Sequence, residues 1–189
     1  MEIIGITGTL GAGKGTVVDF LKQEKGMAHF SVRDFLIKEI LGRGLTVDRD
    51  SMTRVANELR QQNSPSYIVD QLYEEALKSG KNCVIESIRT PGEVVSLCEK
   101  GNFKLFAVDC NPRLRYQRIK ARASETDQVS YETFLANEKR EMTTTDPNKQ
   151  NLKKCIEMAD FVFDNSGTVS QLNAKVAEVI RGLGLKPGC

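Results

Sequence analysis

Residues 8 to 14 read Gly8-Thr9-Leu10-Gly11-Ala12-Gly13-Lys14, the G-x-x-x-x-G-K spacing of a Walker A phosphate-binding loop. Glycines at these positions let backbone N–H groups turn inward and approach phosphate oxygens closely. The segment before the loop, Glu2-Ile3-Ile4-Gly5-Ile6-Thr7, has the apolar density of a buried strand. Residues 14–24 after it carry Val17, Val18, Phe20 and Leu21 on one side of a helix. A loop of this kind does its work only between a strand and a helix, whose positive dipole end faces the same anion. Gly8, Gly11, Ala12, Gly13, Lys14, Gly15 and Thr16 are therefore the candidate nucleotide-binding segment, with Lys14 reaching the β- and γ-phosphates.

The remainder repeats that alternation. Short apolar runs at 28–30, 83–85, 104–108 and 161–163 read as further strands. Between them, residues 34–41, 51–62, 65–78, 113–121, 130–142 and 169–181 read as helices, as does a segment opened by Thr90-Pro91-Gly92-Glu93. That last string is a capping box with proline at the first helical position. Ser31 is a candidate cap for the helix at 34–41, and Pro65 suits a first helical position. Strands alternating with helices imply a parallel sheet covered on both faces.

At 189 residues, 40% hydrophobic and 28% charged, the chain fits one domain with a sizeable core. A net charge of +2 argues against a nucleic-acid binder held by bulk electrostatics. Five cysteines with no C-x-x-C pair argue against a disulfide framework or a zinc site and fit a reducing, cytoplasmic setting. The apolar stretch at Ile3, Ile4 and Ile6 is far too short to span a membrane. The sequence assigns no oligomeric state.

The string Gly13-Lys14-Gly15-Thr16 resembles the loop of nucleoside monophosphate kinases such as adenylate kinase, with Thr16 placed to meet Mg²⁺ directly or through water. Other stretches extend the resemblance in the same order. Phe30-Ser31-Val32-Arg33-Asp34-Phe35-Leu36 is similar to the segment opening that family's acceptor-binding helices, although Ile37 stands where the family carries an arginine. Ile85-Glu86-Ser87-Ile88-Arg89-Thr90 resembles its strand-end acidic residue followed by the arginine that holds the acceptor phosphate. Arg118 and Arg122, four apart on one helix face, match the paired arginines of the helix leading into the lid, and Arg140 the lid's return arginine. The short segment after Arg122 is similar to the compact lid of dephospho-CoA kinase. Asp164-Asn165-Ser166-Gly167 looks like the turn beside the nucleotide base in that enzyme and its relatives. The overall match is to an archaeal-type group of adenylate-kinase-related P-loop proteins.

The resemblance implies a three-layer P-loop α/β sandwich with a five-stranded parallel sheet in the order 2-3-1-4-5. It implies one kinase domain over 1–181, with an acceptor-binding insert near 34–78, a lid near 122–140, and a tail at 182–189. It implies a kinase using ATP and Mg²⁺ on a small phosphorylated acceptor, a nucleoside monophosphate first. Lys14, Arg118 and Arg122 would serve catalysis, and Arg118, Asn165 and Gly167 the nucleotide. Asp34, Glu86 and Arg89 would serve the acceptor, and Thr16 and Glu86 the metal. Dephospho-CoA kinase is an alternative, as is a nucleotide-dependent switch or assembly ATPase. For Asp34 a simple charge at a helix N-terminus weighs equally with acceptor binding. Arg113, Arg115 and Lys120 read as a solvated helix face, Arg54 and Arg60 are indistinguishable from surface residues, and His29 reads as structural.

Overall fold

The computed structural model describes residues 1–122 and 129–184. Five strands form one parallel sheet: β1 (Ile3–Gly8), β2 (Ala28–Ser31), β3 (Cys83–Glu86), β4 (Phe103–Asp109) and β5 (Phe161–Asp164), in the order β2-β3-β1-β4-β5. The helices are α1 (Lys14–Lys25), α2 (Val32–Gly42), α3 (Arg49–Gln62), α4 (Tyr67–Ser79), α5 (Pro91–Glu99), α6 (Pro112–Arg122), α7 (Tyr131–Met142), α8 (Leu152–Glu157) and α9 (Val169–Gly182). The sheet order is the expected one.

Period-2 alternation splits the central strands between two cores. Ile3, Cys83, Ile85, Phe103 and Leu105 face the core built with α2, α3, α4, α5 and α8. Ile4, Ile6, Val84, Phe106 and Val108 face the core built with α1 and α9. Both faces of the sheet are covered, so β1 is buried along its whole length. The loop that follows it therefore projects from a rigid base.

Several helix boundaries differ from the sequence expectation, each for a local reason. The Ser31 side chain accepts from the N–H of Asp34, which starts α2 at Val32 and puts Asp34 in its first turn. Asp48 caps Ser51 N–H in the same way, so α3 begins at Arg49. Pro65 stays outside α4, which is entered through Ser66; the Pro65 carbonyl instead accepts from the Thr90 hydroxyl. The capping box at Thr90 and Glu93 is present with Pro91 opening α5. Helix α8 was not expected: six residues carry too little periodicity, and it is held by an Asn151 cap with Leu152 and Cys155 buried.

Cys83, Cys98, Cys110 and Cys155 are free thiols. No helix among the described residues is long and apolar enough to cross a membrane. Part of the expected lid, residues 123–128, and the end of the tail, residues 185–189, lie outside the described residues.

Candidate active site

The phosphate loop is shaped by backbone that only glycine adopts without strain. Gly11 and Gly13 have φ of +78° and +100°. A Cβ on Gly11 would lie 2.6 Å from the Arg115 carbonyl, and one on Gly13 would lie 2.2 Å from Asn165 Nδ2. The loop is packed from outside by neighbouring turns. Asn165 Nδ2 donates to the Ala12 carbonyl at 2.7 Å, and Thr9 Oγ1 to Asp109 Oδ1 at 2.6 Å. Gly13, the N-cap of α1, makes no side-chain cap bond; Thr16 N–H turns back to the Gly13 carbonyl at 3.1 Å, and the N–H groups of Lys14 and Gly15 before it are left for an anion. We expect Gly13→Ala to weaken nucleotide binding at least about tenfold in an equilibrium titration, since either the loop or Asn165 must move. Its circular dichroism should stay that of the wild type.

Lys14 curls back over the loop, its Nζ donating to the carbonyls of Gly8 and Thr9 at 3.0 Å each. Burial, with the nearby Arg89 guanidinium, lowers its ammonium to about 8, partly offset by Glu86 and Glu141.

Lys14 opens onto a cavity of about 490 Å³ at the carboxyl ends of β1 and β3. Glu86 ends β3 there. Burial pushes its carboxyl up, but a hydrogen bond from His29 and the charges of Lys14, His29 and Arg89 outweigh this, so the net shift is downward. The next residue, Ser87, has φ of +73° and also lines the cavity. Such strain at a cavity wall is found where surrounding structure holds a residue for function. The Ser87 and Ile88 N–H groups both donate to the Ile6 carbonyl, which fixes the turn leading to Arg89.

Arg89 donates to Glu141 Oε2 at 3.0 Å and to Gln150 Oε1 at 2.7 Å. Arg49, from α3, donates to the other oxygen of Glu141 at 2.6 Å. Burial raises the Glu141 carboxyl, but the two arginines bring it below its ordinary value. One carboxylate from α7 thus ties the end of β3 to the helical insert.

Among the sequence-predicted residues, Gly11, Gly13, Lys14, Gly15, Thr16, Glu86, Arg89, Arg118 and Arg122 all line this one cavity. Gly8, Ala12, Asn165 and Gly167 do not line it. Gly8 ends β1, Ala12 and Asn165 are buried behind the loop, and Gly167 sits in the turn before α9. Arg118 donates to the Asn165 carbonyl at 2.8 Å, linking that turn to the cavity wall.

Four readings need correction. Asp34 is exposed and off the cavity, in the first turn of α2, which fits the helix-N-terminus charge weighed for it and not the acceptor role; its neighbour Arg33 lines the cavity. Arg140 is half-exposed and lies 3.8 Å from Asp50, while its neighbour Glu141 faces the cavity. Arg115 is not solvated: it is buried under the loop, donates to the Cys110 carbonyl at 2.8 Å, and pairs with Glu138 of α7, Nη2 at 2.9 Å. Arg60, read as a surface residue, is also buried. Arg54 is a surface residue as expected.

Sequence reasoning missed Arg49, Arg60 and Glu141 as cavity residues. For Arg60 a signal existed: it falls on the α3 stripe of Met52, Val55, Ala56 and Leu59, at i+8 from Met52.

The chain matches the AAA_18 family, described as an AAA domain, over residues 4–146. It belongs to that family. It is 30% identical over 168 residues to the UPF0200 protein of Methanococcus vannielii, with 87% of each chain covered. It is 27% identical over 184 residues to the UPF0200 protein of Thermococcus kodakarensis, covering 94% of this chain and 96% of the relative. Among solved structures it resembles a gluconokinase from Sinorhizobium meliloti 1021, with a TM-score of 0.59 and 15% identity over 97% of this chain and 95% of that one. The likeness to the gluconokinase shows a shared fold.

The loop fits a nucleotide's phosphates. A Cβ added at Gly15 would meet nothing within 4 Å, so the space beside the start of α1 is open. No group of three or more His, Cys, Asp or Glu among the described residues could hold a metal by itself. Mg²⁺ here would be shared between phosphate oxygens, Thr16 and Glu86, and would neutralise phosphate charge.

Proposed function

We propose that this protein is an ATP-dependent phosphotransferase that moves a γ-phosphoryl group onto a small phosphorylated acceptor, a nucleoside monophosphate first. One observation carries the reading. One cavity is lined by the phosphate loop with Lys14 and also by two arginines from outside the loop, Arg49 and Arg89, which share the Glu141 carboxylate. A site that only hydrolysed its nucleotide would need no second wall for anions. Two such regions in one cavity suit a donor and an acceptor held in line.

In this reading the loop N–H groups and Lys14 hold the donor phosphates, and Thr16, with Glu86, serves Mg²⁺. Arg118 and Arg122 offset charge that develops on the transferring group. Arg89 positions the acceptor. A phosphate monoester oxygen is already a competent nucleophile and needs no base. For a sugar hydroxyl, as in dephospho-CoA, Glu86 lines the cavity and would take the proton, Glu141 being held by two arginines and Asp34 lying off the cavity.

The test is ADP release from Mg·ATP against a panel of ribo- and deoxynucleoside monophosphates, dephospho-CoA and a blank without acceptor. The expected result is a rise of at least about tenfold with one acceptor class, abolished in Lys14→Ala. A slow, Lys14-dependent rate that no acceptor raises would instead identify a switch or assembly ATPase.

A further inference from the structure

Arg49 and Arg60 both line the cavity from α3, and each holds one buried N–H without a partner: Nε of Arg49 and Nη1 of Arg60. Arg60 is 2% exposed, and its Nε and Nη2 both donate to Oε1 of Glu93, at 3.2 and 2.7 Å. Glu93 keeps its other oxygen for the N–H groups of Arg89 and Thr90, at 2.7 and 3.0 Å. It has no acceptor left for Nη1. Glu141 meets Arg49 through Nη2 with one oxygen and Arg89 with the other, and neither bond reaches Arg49 Nε.

The charges show the same shortfall. Three guanidiniums, Arg49, Arg60 and Arg89, pair with two carboxylates, Glu93 and Glu141, while the cavity's other carboxylate, Glu86, meets His29. Arg33 adds a further positive charge at the same cavity. A buried guanidinium hydrogen without an acceptor carries its full desolvation cost. That cost is offset when an acceptor arrives with the substrate. Beside these donors Val32, Leu36, Met52 and Ala56 form an apolar wall. The Thr53 hydroxyl next to them already donates to the Arg49 carbonyl.

We propose that α3 forms an oxyanion subsite in which Arg49 Nε and Arg60 Nη1 bind a carboxylate or phosphate of the acceptor, whose apolar body packs on Val32, Leu36, Met52 and Ala56. This rests on the phosphotransferase reading and names the feature by which the acceptor is chosen. Selection falls on the anion, because the wall beside it presents carbon to the rest of the molecule.

The test is calorimetric titration of the wild type, Arg49→Lys and Arg60→Lys, each saturated with Mg·ADP so that the phosphate loop is filled. Inorganic phosphate is the probe in one arm and acetate in the other; the arm that binds tells which anion the subsite takes. Lysine keeps the charge but loses the guanidinium fork. Each variant should bind the anion about tenfold more weakly while Mg·ADP affinity stays within about twofold. Arg49 is partly exposed, so Arg49→Lys keeps the test decisive if Arg60→Lys fails to fold. Unchanged anion binding in the folded variants, or no uptake of either anion by the wild type, overturns the proposal. If Mg·ADP itself does not bind, the donor reading falls instead. The same comparison in a Lys14→Ala background then still decides the subsite.

Discussion

Lys14→Met is expected to lower nucleotide turnover by about 10²–10³-fold, the effect of removing one charged donor from a developing oxyanion, while making the free protein more stable. The two effects have one origin. Lys14 is held in a partly buried position beside the Arg89 guanidinium, and its ammonium is lowered to about 8 from an ordinary value of 10.5. Between those values the unfolded chain keeps a proton that the folded chain has released, so through this group stability rises with pH from about 8 to about 10.5. Below pH 8 both states are protonated and the folded state bears the whole penalty. Replacing Lys14 removes the penalty but also two hydrogen bonds to the Gly8 and Thr9 carbonyls. The net gain at pH 7 should be about 1–2 kcal/mol, a rise of a few degrees in Tm.

Melting curves of the wild type and Lys14→Met from pH 7 to 10.5 check this. Their difference should shrink across that range, and a constant difference would show that Lys14 is not strained by its surroundings. A bound triphosphate supplies the anion Lys14 lacks and returns its proton affinity toward the ordinary value. Nucleotide binding at pH 8 should therefore take up about half a proton in the wild type and none through this group in Lys14→Met. Titrations in buffers of different ionisation enthalpy read that number. The stored cost belongs to function: the lysine is least comfortable when the site is empty.

What the sequence made legible was whatever is encoded within a few residues. The glycines at 11 and 13, the alternation in β1, and the pairing of Thr90 with Glu93 all lie inside one short window. The site's electrostatics were not legible for the opposite reason. Arg115 reads as a surface charge because its partner Glu138 lies 23 residues away, and Arg49 was missed because Glu141 lies 92 away. A charge in a sequence looks solvated until the fold delivers the counter-charge that makes burial tolerable. Asp34 failed from the other direction. Of the two roles weighed for it, its place in the first turn of α2 fits the helix-N-terminus charge, and the cavity takes Arg33 instead. Glu93 shows both behaviours in one side chain: the oxygen that closes its capping box was readable, and the oxygen that takes Arg60 was not.

That double role sets the second large expectation, that Glu93→Ala destabilises the protein by about 3–5 kcal/mol, the cost of breaking a buried pair by removing one partner. Glu93 is fully buried and Arg60 nearly so, so no water takes the place of the lost carboxylate. The N–H groups of Arg89 and Thr90 lose their acceptor as well, which adds about 1 kcal/mol for the cap. At this chain length the sum corresponds to a Tm lower by about 10 °C or more. Arg60→Met with Glu93→Gln separates the two parts. The charges leave together, and the glutamine oxygen still accepts from the start of α5, so most of the loss should be recovered. Denaturant unfolding of the two single variants and the double variant measures the coupling. If the double variant is as unstable as Glu93→Ala, neither the stranded charge nor the lost cap accounts for the loss, since the double variant avoids both, and the broken-pair expectation is overturned. If stability returns while anion binding at α3 does not, the fold can dispense with Arg60. Its retention at the base of the cavity is then explained by the acceptor it binds.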